Sequence, residues 1–149
     1  MRTIRFRGKR LDNNQWIEGD LFHGNDDSMF IGSPAVRFKV KVIPHAEYKN
    51  LAEVGPLTVG MYTGLQDKQG RDIYEGDILK HTNMPVYYSV VWNTKLSSFV
   101  LYNPKEKHEE FGYGEQSPLG RTLRLFPFEI VGNLYDNPEV LKEVQYEMD

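Results

Sequence analysis

Cysteine is absent from this 149-residue chain. Disulfides, thiolate metal sites and cysteine nucleophiles are thereby excluded, and a reducing compartment is the natural setting. No apolar run approaches the length that spans a bilayer, and the opening MRTIRFRGKR lacks the apolar segment of a secretory signal. A soluble, cytoplasmic protein with no membrane partner is expected. An excess of one charge is lacking too. The 18 basic and 21 acidic residues give a net charge of −3, so a globally basic protein that coats nucleic acid is not indicated.

Catalytic motifs are equally scarce. The chain has no GxxxxGK[ST], no GxGxxG and no GxSxG, and Gly112-Tyr113-Gly114 is too short to cradle a phosphate. His23, His45, His81 and His108 lie 22, 36 and 27 residues apart, so none forms a local metal-ligating pair. Each reads as a surface or packing residue, and neither a metal nor another cofactor is expected.

Aromatic residues are abundant. They make up 13% of the chain, with nine tyrosines and eight phenylalanines, which favours packed β structure over disorder. The length suits a single unit, divisible into sub-lobes over residues 1–56 and 57–149.

The densest run of turn and strand chemistry is GMYTGLQDKQGRDIYEGDILK, residues 60–80. Asp67-Lys68-Gln69-Gly70 places Asp at the first position of a type I turn and Gly at the fourth. Residues 61–65 and 71–74 are therefore predicted to pair as a hairpin. Glu75-Gly76-Asp77 then interrupts the chain before a new strand at residues 78–80. Glu75 and Asp77 offer the carboxylate pair of a general acid and base. The competing reading has Asp77 hydrogen-bonding turn amides and Glu75 in solvent. The pattern recurs, since Trp16-Ile17-Glu18-Gly19-Asp20-Leu21-Phe22 matches Ile73-Tyr74-Glu75-Gly76-Asp77-Ile78-Leu79. The repetition predicts one hairpin-and-corner device used twice. A duplicated pair, Glu18 with Asp20 and Glu75 with Asp77, favours structure over a single active site.

Three separated blocks carry a family resemblance. TVGMYTGLQDKQGRDIYEGDIL resembles the signature of the YopX family, found in bacteriophages and prophages, and IRFRGKRLDNNQWIEGDL and FEIVGNLYDNPEVL are similar to that family's start and end. The resemblance implies a phage-type origin, a bacterial host cytoplasm and a mainly β structure, with no catalytic residues to carry over. The residues that form the structural signature are Gly64, Asp67, Gly70, Tyr74, Glu75, Gly76 and Asp77, with Gly132, Asn133, Asn137 and Pro138 in the late block.

Along the rest of the chain, residues 3–7 alternate as a half-buried strand, with Ile4 and Phe6 on one face and Arg5 and Arg7 on the other. Residues 36–42 alternate more clearly, setting Val36, Phe38, Val40 and Val42 against Arg37, Lys39 and Lys41. These lysines read as protection of a solvated edge. If the two strands are neighbours, Arg5, Arg7, Arg37, Lys39 and Lys41 converge on a phosphate-binding patch. Tyr48, Leu51 and Ala52 are spaced for a short helix within residues 44–54. Residues 86–92 and 99–102 form a second hairpin, with Val86, Tyr88, Val90 and Trp92 sharing a face. Following residues 75–80, this hairpin resembles the meander of a small Src-homology-3-like barrel. Residues 103–120 read as a long variable loop, with Phe111 and Tyr113 as a candidate binding tip. Residues 128–131 form a strand, and Asn137-Pro138-Glu139 starts a terminal helix.

The expected fold is mainly β: antiparallel hairpins in a small-barrel lobe, an N-terminal β lobe and a short C-terminal helix. Three functions are compatible with the sequence. The leading one is a non-catalytic module that binds itself, as a homo-oligomer, or a phage or host protein. Next comes nucleic-acid binding through the basic strand faces. The third is an enzyme using the Glu/Asp pair.

Overall fold

The computed structural model describes residues 2–34, 48–104 and 114–141. It is mainly β, with antiparallel sheets and few short helices. Two compact units divide the chain, Met1–Met61 and Tyr62–Asp149.

The first unit is a meander. β1 (Phe6–Lys9), β2 (Trp16–His23), β3 (Met29–Pro34) and β4 (Tyr48–Val54) pair in sequence order, each antiparallel to the last. Gly60 and Met61, the start of β5 (Gly60–Gln66), pair with β1. The end of β1 also returns to β4. Arg10 bridges Val54, Leu11 N–H donates to the Glu53 carbonyl at 3.0 Å, and Gly55 N–H donates to the Lys9 carbonyl at 2.9 Å. The four strands thus come full circle at that rim. Inside, Ile31 and Val54 are buried, and Gly8 faces them so closely that a Cβ there would lie 3.0 Å from the Val54 side chain.

Two expectations for this unit shift. The strand predicted at residues 3–7 is β1 at Phe6–Lys9, with Ile4 outside it and 59% exposed. The helix predicted within residues 44–54 is a strand over Tyr48–Val54. Ala52 and Val54 are buried while Leu51 and Glu53 are exposed, the period-2 pattern that pairing with β3 imposes. The strand expected at residues 36–42 lies outside the described residues.

In the second unit, the rest of β5 pairs with β6 (Asp72–Tyr74), Tyr62 opposite Tyr74 and Gln66 opposite Asp72, with an irregularity between. The turn forms as predicted, with Gly70 N–H donating to the Asp67 carbonyl at 3.0 Å. A four-stranded antiparallel sheet follows in the order β10-β7-β8-β9, built from β7 (Asp77–His81), β8 (Tyr87–Asn93), β9 (Ser98–Tyr102) and β10 (Phe128–Asn133). The second predicted hairpin is β8 with β9. Val86, Tyr88 and Val90 are buried, but Trp92 runs past the core and is 49% exposed.

A helix, α1 (Leu119–Leu125), starts at the end of the stretch expected to be loop and buries Leu119 against that sheet's core with Leu79, Tyr88, Leu101 and Phe128. Each such aliphatic or aromatic side chain contributes roughly 1.5–3 kcal/mol on burial. Helical residues resume at 139–141, as the Asn137-Pro138 start predicts. Phe111 and Tyr113 lie outside the described residues.

Candidate functional site

The hairpin turn is organised by one carboxylate. Asp67 is buried, and its Oδ1 accepts from the backbone N–H groups of Gln69 and Arg71, both at 2.9 Å. Oδ2 accepts from Arg71 Nε at 3.0 Å and from Ile130 N–H, 63 residues away, at 2.9 Å. Arg71 also donates to the Ile130 carbonyl at 2.7 Å. Burial alone would push this carboxyl up. The N–H groups of Ile130 and Arg71, with the Arg71 guanidinium, outweigh it and hold Asp67 below the usual carboxylate value. Asp67 therefore stitches the turn to β10.

The two Glu-Gly-Asp copies do not share a structure. Ile73 to Leu79 does turn a corner: Asp77 is buried, its Oδ2 accepts Tyr74 N–H at 2.8 Å, and Gly76 has φ 94° and donates to Val90 O at 2.9 Å. Trp16 to Phe22 runs straight through as β2. The expectation of one corner device used twice is thus corrected. Strands on both sides of β2 keep its copy extended, and Gly19 lies against the Gly32 carbonyl. Asp77 is turned into its corner while Glu75 is half-buried, so the two carboxylates play different parts.

The late block is an Asx-type loop. Asn133 Oδ1 accepts from Tyr135 N–H at 3.0 Å and Asp136 N–H at 2.9 Å, while Asn137 Oδ1 reaches back to Asn133 N–H at 3.3 Å. Asn137 covers Gly132, where a Cβ would meet its side-chain oxygen at 2.6 Å. Leu134 N–H donates to Gly76 O at 2.9 Å, joining this loop to the Glu-Gly-Asp corner. Pro138 precedes the helical residues and is exposed. Gly64 and Gly70 take φ values of 82° and 81°, and a Cβ added at either would have no atom within 4 Å, so they serve the hairpin's conformation rather than close packing.

Of the basic patch, Arg5 and Arg7 are half-buried, and Arg37, Lys39 and Lys41 lie outside the described residues. Arg7 stands directly opposite Glu18, and its guanidinium lies 4.7 Å from the centre of the Trp16 ring, which Lys9 approaches at 5.7 Å. Cation–π contact and an opposed carboxylate thus surround Arg7.

His81 is buried, edge-on to Phe128 at 5.2 Å, and its Nδ1 accepts Asn83 N–H at 3.1 Å. Burial, with Lys80 adding, lowers its pKa below the ordinary imidazole value. The neutral form is favoured on folding. Its stabilisation is therefore complete above the ordinary value of about 6.5 and is lost as pH falls through the lower folded value. Thermal unfolding followed from about pH 7 to pH 5 should show Tm falling by a few degrees, and His81→Asn should flatten that window. An unchanged slope in the variant would remove His81 as the cause.

Among the described residues, no group of three or more His, Asp or Glu side chains is placed to hold a metal ion. No helix among them is long and apolar enough to cross a membrane. Two surface features are not legible from the sequence. One is the end of the β8–β9 hairpin, where exposed Trp92 meets Phe99 edge-on at 5.0 Å and Leu96 is 37% exposed. The other is a cleft of about 300 Å³ between the Asp67 turn and the corner from α1 to β10. Leu123, Phe126 and Pro127 line it, with Lys68 and Arg124. The spacing of Leu119 and Leu123 is the available signal for α1, and it lies beside the Gly- and Pro-rich stretch.

A family model described as YopX protein matches residues 5–142. The crystal structure of protein EF1440 from Enterococcus faecalis is similar at 20% identity, covering 95% of this chain and 99% of that one with a TM-score of 0.56. At that identity the likeness is one of fold. No curated protein matches this chain.

Proposed function

From a chain that belongs to the YopX family, matched over residues 5–142, we propose a non-catalytic interaction module that binds a protein partner or a second copy of itself. The observation that carries this reading is the exposed aromatic end of the β8–β9 hairpin. Trp92 is 49% exposed, is held edge-on by Phe99 and has exposed Leu96 beyond it, while α1 and the sheet bury the comparable side chains Tyr88 and Phe128. A rigid indole at a surface supplies a large contact area at small cost in side-chain entropy, and tryptophan is enriched where proteins meet. The polar side chains best placed for chemistry point the other way. Asp67, Asp77 and His81 each hold backbone N–H groups. The partner is a second copy, or a protein of the phage or its bacterial host, met in the cytoplasm.

Sedimentation velocity over a concentration series, paired with crosslinking in infected cells, tests the reading. Concentration-dependent association or a specific crosslinked partner is expected, weakened about tenfold or more by Trp92→Glu. A strict monomer with no crosslinked partner overturns it.

A further inference from the structure

The cleft beside the Asp67 turn combines three properties. Its walls are fixed by backbone hydrogen bonds: Lys68 N–H to the Phe128 carbonyl at 3.0 Å, Thr82 N–H to the Pro127 carbonyl at 2.9 Å and Phe126 N–H to the Thr122 carbonyl at 2.8 Å. Such a cleft exists before any ligand arrives, so little ordering has to be supplied on binding.

Its rim is positively charged. Lys68 and Arg124 line it, and Arg121 lies one turn earlier on α1, all three exposed. Among the described residues none of the three side chains has an acidic partner. Of the acidic side chains near them in sequence, Asp67 is engaged with Arg71, Asp72 with Gln66 at 3.1 Å and Glu129 with Gln69 at 2.9 Å, while Glu115, six residues before Arg121, is exposed. α1 itself, LGRTLRL, contains no acid. In a chain of net charge −3 this is a local reversal of sign. The floor, by contrast, carries the apolar side chains Leu123, Phe126 and Pro127 beside Gln66 and the Arg71-paired Asp67, and Leu125 at its edge is 57% exposed.

We propose that this cleft docks an acidic peptide segment of a partner protein, seating an apolar side chain on Leu123, Phe126 and Pro127 with carboxylates against Lys68 and Arg124. The inference rests on the interaction reading and gives it a second surface, apart from Trp92. A bare phosphate would leave the apolar floor in water, and a purely apolar ligand would leave the cations uncompensated. A few carboxylates beside an apolar side chain satisfy both. A nucleic acid brings many charges toward a protein whose overall charge is negative, which opposes its approach. Complementary charge at the rim of a preformed apolar groove also sets partner choice and association rate.

Fluorescence anisotropy of a fluorescein-labelled Glu-Glu-Phe-Glu-Leu peptide against the full chain tests the proposal. Saturable binding is expected, weakened about tenfold or more by the double variant Lys68→Glu, Arg124→Glu. Leu125→Glu should weaken it as well, and a peptide with Ser in place of Phe and Leu should bind less tightly. All three substituted positions are exposed, and unchanged thermal unfolding confirms that the variants fold. No saturation, equal affinity in the double variant, or equal affinity for the Ser-substituted peptide overturns the proposal. So does tighter binding of a labelled single-stranded oligonucleotide that the double variant loses, which would assign the cleft to nucleic acid. Self-association or a crosslinked partner that persists unchanged in the double variant, alongside no peptide binding, removes the cleft and leaves the Trp92 reading standing. Loss of association in the unmodified chain removes that reading itself.

Discussion

Asp67→Ala is expected to lower the unfolding free energy by about 3–5 kcal/mol, a large loss for the truncation of one polar side chain. The side chain accepts from three backbone N–H groups and from Arg71, and one of those contacts, from Ile130 N–H, joins the turn to β10 across 63 residues of sequence. Removing it strands buried donors, and each costs about 1–3 kcal/mol unless water replaces the oxygen. Arg71 is half exposed and can turn to solvent, which keeps the total from being a simple sum. Asp67→Asn retains an acceptor of similar shape, so a smaller loss of about 1–2 kcal/mol is expected.

The pair also differ in acid. The Asp67 carboxyl sits below its ordinary value, so its contribution is full above about pH 4 and disappears as pH falls through the folded value. The Asn variant lacks that component. Urea unfolding at neutral and acid pH measures both effects. A drop below about 1 kcal/mol for Asp67→Ala would show that the turn and β10 are joined by something else.

The second large effect is steric. At Gly19 an added Cβ would lie 2.5 Å from the Gly32 carbonyl oxygen, a backbone atom that no rotamer change can move aside. β2 and β3 would have to separate, so Gly19→Ala is expected to cost more than about 3 kcal/mol and to leave the first unit only partly folded at 37 °C. Gly64→Ala provides the control. Its φ of 82° is unfavourable for alanine, but nothing lies within 4 Å of the new atom, so only the conformational cost of about 1–2 kcal/mol applies. Circular-dichroism melts of the two variants separate clash from conformation. Equal losses would mean that the strands part more easily than their contact implies.

What is legible in the sequence depends on how local its cause is. The Asp67-to-Gly70 turn follows from side-chain chemistry within four residues, and it forms as predicted. The β8–β9 hairpin follows from alternation bounded by turn residues. The Glu-Gly-Asp repeats show the opposite. Seven residues of matching character make an unbroken strand in one place and a corner in the other, because β1 and β3 flank the first copy. Tyr48, Leu51 and Ala52, three apolar residues at helical spacing, predict a helix within residues 44–54, and pairing with β3 makes a strand of Tyr48–Val54 instead. α1 spans only seven residues and has no side-chain cap, so its segment carries little helix signal of its own. The cleft is hidden for the same reason. It joins residues 66–68 to residues 123–128, and sequence spacing says nothing about that meeting.

The return of β1 onto β4 carries a cost in chain closure. Neighbouring strands of a meander zip from their connecting turns at small entropic cost, but the bridge between Arg10 and Val54 joins positions some 44 residues apart. That contact, like the pairing of Phe6 with Met61 some 55 positions apart, costs more loop-closure entropy than a hairpin between neighbouring strands. Without it, the backbone of Lys9 to Leu11 and of Glu53 to Gly55 would leave donors and acceptors unpaired at two short strand ends, the kind of margin that a second chain can meet. The few hydrogen bonds at this rim thus cover two strand ends that would otherwise stand open.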